Sequence, residues 1–203
     1  MGHRRLTLVA AAVTLGLTVA GCATSSYDTA KQTPGGPLAG HEVADSNNDG
    51  TYVSAGAITY QLEISRLMNP WANEDKQYLV GLPKGESSTN LKPSQLWYGV
   101  WLWAKNQHHR NATTSDKFEI VDTSGRVYKP VKLDAKVNPY AWTAQTLSYG
   151  ETEPGQDSTA AQFFTGGKIV LFKLNYSIYS NRPLTFYILS PSNKRIGEIS
   201  LDL

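Results

Sequence analysis

Apolar residues recur at every second position along much of the chain from Ala57 onwards. The first such run places Ile58, Tyr60, Leu62 and Ile64 on one side of an extended segment, which is the period of a half-buried β-strand. Similar short runs follow, separated by turn residues, and no segment shows convincing helical spacing over ten residues. The pattern predicts seven strands, at residues 58–67, 96–104, 117–121, 127–133, 168–176, 184–189 and 195–203.

Turn chemistry connects several of these strands directly. Residues 122–125 read Asp-Thr-Ser-Gly and predict a hairpin turn, and residues 190–193 join the last two strands. Seven short strands with frequent turn signals predict an all-β fold, an antiparallel β-sandwich of about seven strands over residues 57–203. A partly closed barrel is the alternative.

The first 21 residues have the pattern of an export signal. Residues 1–5 are basic, residues 6–20 are apolar, and Gly21 and Cys22 follow. The apolar run is shorter than the roughly 20 residues that a membrane-spanning helix needs. The string Val19-Ala20-Gly21-Cys22 resembles the bacterial lipobox, and this resemblance implies diacylglycerol on the Cys22 sulfur and cleavage before that residue. An ordinary secretory signal with an incidental cysteine is the alternative.

Charge and cysteine content narrow the possible functions. Cys22 is the only cysteine, so no intramolecular disulfide can form. Arg4 and Arg5 lie in the predicted leader, so 17 of the 19 basic residues remain in the mature chain, against 17 acidic residues. A nucleic-acid binder needs a basic excess to neutralise phosphates. We therefore expect no nucleic-acid partner. From the leader and Cys22 we expect an extracytoplasmic protein that is anchored to the lipid bilayer through acylated Cys22.

Residues 22–56 are predicted to form a flexible linker, because Ser, Thr, Pro, Gly, Asn and Asp predominate and no apolar periodicity appears. Asp45, Asn47 and Asp49, followed by Gly50, fit the first half of a calcium loop. The twelfth position is Gly56 rather than the closing Glu, and polar linkers produce such strings by composition alone. No cofactor is predicted apart from this possible calcium ion.

Several strings in the C-terminal part resemble known protein groups. Five of them are similar to uncharacterised actinobacterial lipoproteins, at residues 64–70, 74–75, 78–83, 96–101 and 181–184. Residues 150–155 and 168–173 resemble the immunoglobulin-like extracellular domains called DUF4352. The resemblance implies an immunoglobulin-like sandwich outside the cytoplasm. It implies no activity, because these groups have none assigned and a fold alone does not supply one.

The strand at residues 96–104 is apolar on both faces. Trp97, Trp101 and Trp103 share one face, and the residues between them share the other. One interpretation is an exposed aromatic platform that binds a ligand, with an envelope glycan as the first to test. The other is a central strand whose second face is covered by the aromatic loops at residues 138–142 and 69–71.

The remaining candidate site residues are of types that bind metals or act as acids and bases. His108 and His109 are adjacent, which disfavours joint chelation on a strand. Two acidic pairs, Glu74 with Asp75 and Glu151 with Glu153, are of the type that hydrolases use. They lie beside prolines and lysines, so we expect them in solvated turns. No catalytic residue is predicted. We expect a membrane-anchored, non-catalytic binding or adaptor domain for a protein or an envelope glycan, with a carbohydrate-active enzyme or a calcium- or copper-handling lipoprotein as alternatives.

Overall fold

The computed structural model describes residues 43–44 and 51–201. The predicted leader, Cys22 and the candidate calcium ligands Asp45, Asn47 and Asp49 lie outside these residues. Within them, strands dominate and helices are confined to single turns, at Asn73–Lys76 (α1) and Thr159–Gln162 (α2), with 3₁₀ turns at Gln77–Leu79 and Tyr176–Ser180. No helix in the described part of the chain has the length and apolar character needed to span a bilayer.

Two sheets form the sandwich, and their strands run β1 to β13 along the described chain. The strands are Val43–Ala44, Thr51–Ala55, Ile58–Met68, Gln95–Asn106, Ala112–Thr113, Phe118–Val121, Val127–Tyr128, Pro130–Val131, Thr146–Leu147, Thr152–Glu153, Lys168–Asn175, Leu184–Leu189 and Arg195–Leu201. The first sheet has the order β1-β13-β12-β6-β7, and the second has β2-β3-β4-β11-β8 with β10 also on β4. The pairing of named strands is antiparallel except between β1 and β13. The predicted all-β sandwich is confirmed.

The main core lies between the two sheets. Tyr98, Val100 and Leu102 of the central strand β4 face it from the second sheet, and Phe186 and Ile199 face it from the first. All five side chains are fully buried. The predicted alternation along β4 is therefore correct, because these residues share one face of the strand while Trp97 and Trp101 belong to a separate cluster on the other.

The strand predictions hold in the middle of the domain and fail at its edges. Seven strands of the described chain have four or more residues, which equals the number of strands predicted. However, Thr51–Ala55 is one of them and pairs with β3, so the folded domain begins before the predicted boundary at residue 57. The predicted strand at 127–133 is two short strands, because the chain leaves the first sheet after Tyr128 and joins the second at Pro130.

This crossing forms one corner of the sandwich. Only Lys129 separates β7, which pairs with β6 in the first sheet, from β8, which pairs with β11 in the second. The two sheets are thus joined covalently at an edge where no further strand of the described chain closes the gap between them. The candidate site lies at this edge.

Candidate functional site

The tryptophan face of β4, for which an exposed platform and a covered strand were the two interpretations, forms a second core. Trp97 and Trp101 are both 0% exposed, and only Trp103 is partly exposed. Tyr78 packs edge-on against Trp101 with ring centroids 5.0 Å apart, and the Arg66 guanidinium lies 5.1 Å above the same ring. Gly99 is required between the tryptophans, because a Cβ there would lie 2.5 Å from the Trp101 ring. A ligand-binding role for Trp97 and Trp101 is therefore wrong for this structure.

Of the two aromatic loops expected to cover the tryptophan face, one does so. Tyr140 and Ala141, from the predicted loop, belong to this second core. Asn138 fixes the loop, because its buried side chain donates to the carbonyl oxygens of Tyr78 and Val80, both at 3.0 Å, and accepts from Tyr140 N. Trp71 does not take part, since it is 69% exposed. Tyr78 and Leu79, in the 3₁₀ turn, cover the tryptophans instead.

The acidic pairs are divided between core and solvent. Asp75 is buried and ion-paired with Arg66, whereas Glu74 is exposed. Glu153 is 1% exposed, and its Oε1 lies 2.6 Å from Lys168 Nζ, whereas Glu151 is exposed. Burial raises the pKa of Glu153 despite the opposing effect of Lys168. The expectation that all four acids occupy solvated turns is therefore wrong for Asp75 and Glu153, which have structural partners.

The candidate metal ligands are not brought together in the described residues. His108 and His109 are both exposed, and His109 stacks on Tyr149 with ring centroids 4.2 Å apart. No group of three or more His, Cys, Asp or Glu side chains suited to a metal ion occurs within residues 43–44 and 51–201. The Asp45 loop lies outside that range.

A cleft lies at the sandwich corner and has a volume of about 610 Å³. It lies along the edge of β11, where Leu171 pairs with Val131 of β8 and Ile169 forms a parallel bridge with Ala141. The loop that ends at Ala144 forms one wall, and the start of β6 with the end of β12 forms the other. A volume of this size lies within the range of small-molecule sites.

The floor of this corner cleft is apolar. Phe118, Ile169, Val170 and Leu171 are buried and line it, and Trp142 is half-buried at its side. The indole of Trp142 packs edge-on against Phe118 at 5.8 Å, and its Nε1 donates to the Ser115 carbonyl oxygen at 2.7 Å. These contacts fix the ring, so the cleft is preformed on one side.

The rim of the corner cleft is basic. Its lining includes three lysines, Lys117, Lys129 and Lys132, and one acid, Asp116. Lys117 Nζ donates to the Pro191 carbonyl oxygen at 2.6 Å and so holds the β12–β13 turn beside the cleft. Lys132 is exposed. The rim therefore offers positive charge above an apolar floor.

Lys129 belongs to a small charged network. Its Nζ donates to Glu119 Oε2 at 2.5 Å, and Arg195 Nε donates to Glu119 Oε1 at 2.8 Å. Burial alone would raise the pKa of Glu119, but the two cationic donors outweigh burial and lower this pKa below its usual value. Two cations share one carboxylate, so the network keeps a net positive charge beside the rim.

The corner cleft was not predicted from the sequence, because its residues come from six separate segments. One local signal was present. The string Lys129-Pro130-Val131-Lys132 interrupts a predicted strand with a proline, which marks a strand edge. Which segments would meet that edge depends on long-range pairing that one sequence does not show.

Comparisons with known proteins give similarity of fold only. No protein-family model matches the chain, and no curated protein sequence matches it, so the resemblance to DUF4352 and to actinobacterial lipoproteins is not confirmed. The yjhA protein of Bacillus subtilis is similar in structure, with 9% identity, coverage of 77% of this chain and 98% of that chain, and a TM-score of 0.42.

Two further solved structures have comparably low sequence identity and TM-scores. An uncharacterised β-sandwich protein of Clostridium difficile has 12% identity, coverage of 78% of this chain and 93% of that chain, and a TM-score of 0.41. The ycdA protein of Bacillus subtilis, described as a candidate lipoprotein, has 10% identity, coverage of 76% of this chain and 39% of that chain, and a TM-score of 0.45.

Proposed function

We propose that this chain is a non-catalytic, lipid-anchored extracytoplasmic domain that binds a single-chain amphiphile with an anionic head group in the corner cleft. The observation that carries this proposal is the combination of an apolar floor with a lysine rim in one cleft of about 610 Å³. Ligand sites typically combine mostly apolar walls with a few placed polar groups.

Charge complementarity selects the head group. Lys129 and Lys132 line the opening, while Asp116 is the one acidic residue of the lining. A carboxylate or phosphate head placed at this rim gains charge-assisted hydrogen bonds that a neutral or cationic head cannot make. Burying about six methylenes contributes about 5 kcal/mol, which corresponds to a Kd of about 1 mM or lower.

Decanoate below its micelle concentration is a suitable probe, measured by calorimetry on the purified chain. We expect saturable binding that Ala144→Trp abolishes, because Ala144 lines the cleft and an indole there would fill it. Ala135→Trp is the matched control, since Ala135 is exposed in the same loop but outside the lining. Lys132→Glu should weaken binding about tenfold, and Lys136→Glu should leave it unchanged.

Any of three results would reject the amphiphile proposal. One is binding of decanoate that is equal in the Ala144→Trp and Ala135→Trp variants. Another is binding of decyltrimethylammonium as tight as that of decanoate, because a cationic head would then be accepted at a lysine rim. Absence of decanoate binding to the unmodified chain would also reject it.

The proposed location outside the cytoplasm, on a membrane, depends on the predicted leader and on lipidation of Cys22. We expect cells grown with labelled palmitate to incorporate label into the full-length chain and not into a Cys22→Ala variant. The unmodified protein should fractionate with membranes, because two or three acyl chains bury many methylenes at about 0.8 kcal/mol each. Intact mass measurement that finds a free thiol at Cys22 would show that the anchor is absent.

A further inference from the structure

A second concave site is lined by β9, β10 and the connection between them. This polar groove has a volume of about 710 Å³, and it shares no lining residue with the corner cleft. The short strand β10 forms part of its wall and pairs with β4, with Thr152 opposite Lys105 and Glu153 opposite Ala104. Lys168, the first residue of β11, also lines it.

An exposed aromatic ring stands at the rim of the polar groove. Tyr149 is 59% exposed, and its ring stacks on His109 with an angle of 30° between the two planes. The imidazole covers part of the tyrosine ring and restricts its rotation. A fixed tyrosine ring that remains open to solvent suits stacking with the apolar face of a sugar ring.

Buried Asn106 holds this rim in place. Its Nδ2 donates to the carbonyl oxygens of Arg110 and Leu147, at 2.7 Å and 2.8 Å. Its backbone N–H donates to the Glu151 carbonyl oxygen, and its own carbonyl oxygen accepts from Gly150 N. One fully buried side chain thus joins the segment that carries His109 to the segment that carries Tyr149. The aromatic pair is therefore preorganised by the fold.

The lining of the polar groove is rich in groups that hydrogen-bond to hydroxyls. It contains two amides, three hydroxyls and two carboxylates, from Gln145, Gln156, Thr146, Thr152, Ser158, Glu151 and Glu153. Amides both donate and accept, and carboxylates accept at two oxygens, so neighbouring hydroxyls of one ligand can be bound together. Lys168 adds one cation, and the two glutamates leave a net charge of about −1.

The buried ion pair at the base of the polar groove is not explained by its contribution to stability. Glu153 and Lys168 lie largely out of water, and a buried ion pair often stabilises no better than apolar residues of similar volume. Glu151, by contrast, accepts from Ser148 N at 2.6 Å and closes the turn that contains Tyr149. Each carboxylate thus has a structural partner, which favours recognition of a ligand over acid–base chemistry.

We propose that the polar groove is a saccharide-binding site that takes a neutral oligosaccharide, with Tyr149 stacking on one sugar ring and the groove side chains bound to its hydroxyls. This site is separate from the corner cleft and does not depend on the function proposed for it. The net negative lining disfavours acidic sugars.

Titration of the purified chain with chitotetraose, followed by calorimetry, tests the saccharide proposal. We expect saturable binding that Tyr149→Ala weakens at least fivefold and that Gln156→Ala also weakens. Tyr52→Ala is the control, because Tyr52 is an exposed tyrosine outside the groove, and it should leave the affinity unchanged. Circular dichroism of each variant checks that the fold is retained.

Three results would overturn the saccharide proposal. The first is no saturable binding of chitotetraose or of cellotetraose, a second neutral probe. The second is equal affinity of the unmodified chain and the folded Tyr149→Ala variant. The third is a tetramer of galacturonate binding as tightly as the neutral probes, since the ligand class would then be wrong. Loss of decanoate binding by the corner cleft would not bear on any of these outcomes.

Discussion

Replacement of Trp101 by alanine is expected to lower the free energy of unfolding by about 4 kcal/mol, the usual cost of truncating a fully buried aromatic residue. The Trp101 side chain is 0% exposed and contacts Tyr78 and Arg66. Its removal would leave a cavity beneath the covering layer. The neighbouring Gly99 lacks a side chain and cannot fill the space.

Trp103→Ala is the matched control for Trp101. It removes the same side chain from the same face of β4, two residues further on, where the position is only partly buried. We expect less than half the loss of stability in that variant. Urea denaturation followed by circular dichroism measures both values. A Trp101→Ala loss below about 1 kcal/mol would show that the second core is not packed as the structure has it.

The second large effect is expected at Asp75. Its carboxylate accepts from Arg66 Nη1 at 3.1 Å and from the backbone N–H of Asn69 at 2.7 Å, and the residue is buried. Asp75→Ala should therefore cost about 3 kcal/mol, because the guanidinium beside it would lose its counter-charge and the Asn69 N–H its acceptor. The α1 turn and the ring contact of Arg66 with Trp101 should loosen with it.

Glu74→Ala provides a close control for Asp75→Ala. Glu74 is exposed and precedes Asp75 in the same helical turn. We expect a change within about 0.5 kcal/mol, as for other surface substitutions. The two variants compared by denaturant unfolding separate a structural carboxylate from a solvated one. Equal losses in both variants, or no loss in either, would contradict the role given to the Arg66–Asp75 pair.

The alternation along β4 shows what one sequence can establish. Period two assigned the tryptophans to one face and Tyr98, Val100 and Leu102 to the other, and the structure agrees. Whether the tryptophan face is open or covered is not a local property. It depends on Tyr78 and Tyr140, which come from segments far apart in the chain and meet over Trp101.

The edges of the sandwich were harder to predict for a similar reason. Thr51–Ala55 follows a polar segment and exposes Tyr52, so it lacks the apolar signal of a core strand, and its pairing with β3 defines it. Val127 to Leu133 appeared continuous because apolar residues recur there. The chain changes sheets at Lys129, and no composition rule marks that change except the following proline.

The acidic pairs illustrate a limit of motif reasoning. Glu74 and Asp75 are adjacent and chemically similar, yet one is exposed and the other buried. The difference arises from Arg66 on β3, which lies nine residues before Asp75 and reaches its carboxylate across the turn. The same holds for Glu153, whose partner Lys168 begins another strand. Carboxylate spacing in the sequence therefore gave no measure of the environment of either acid.

Indole N–H signals in a two-dimensional nitrogen–proton NMR spectrum test the binding site most directly, because the chain has five tryptophans. During titration with decanoate, we predict that the Trp142 signal shifts progressively, since that ring lines the corner cleft. The Trp97 and Trp101 signals should stay in place, because both rings are buried away from it. Shifts confined to Trp97, Trp101 or Trp103, or none at Trp142, would contradict the assignment of ligand binding to the corner cleft.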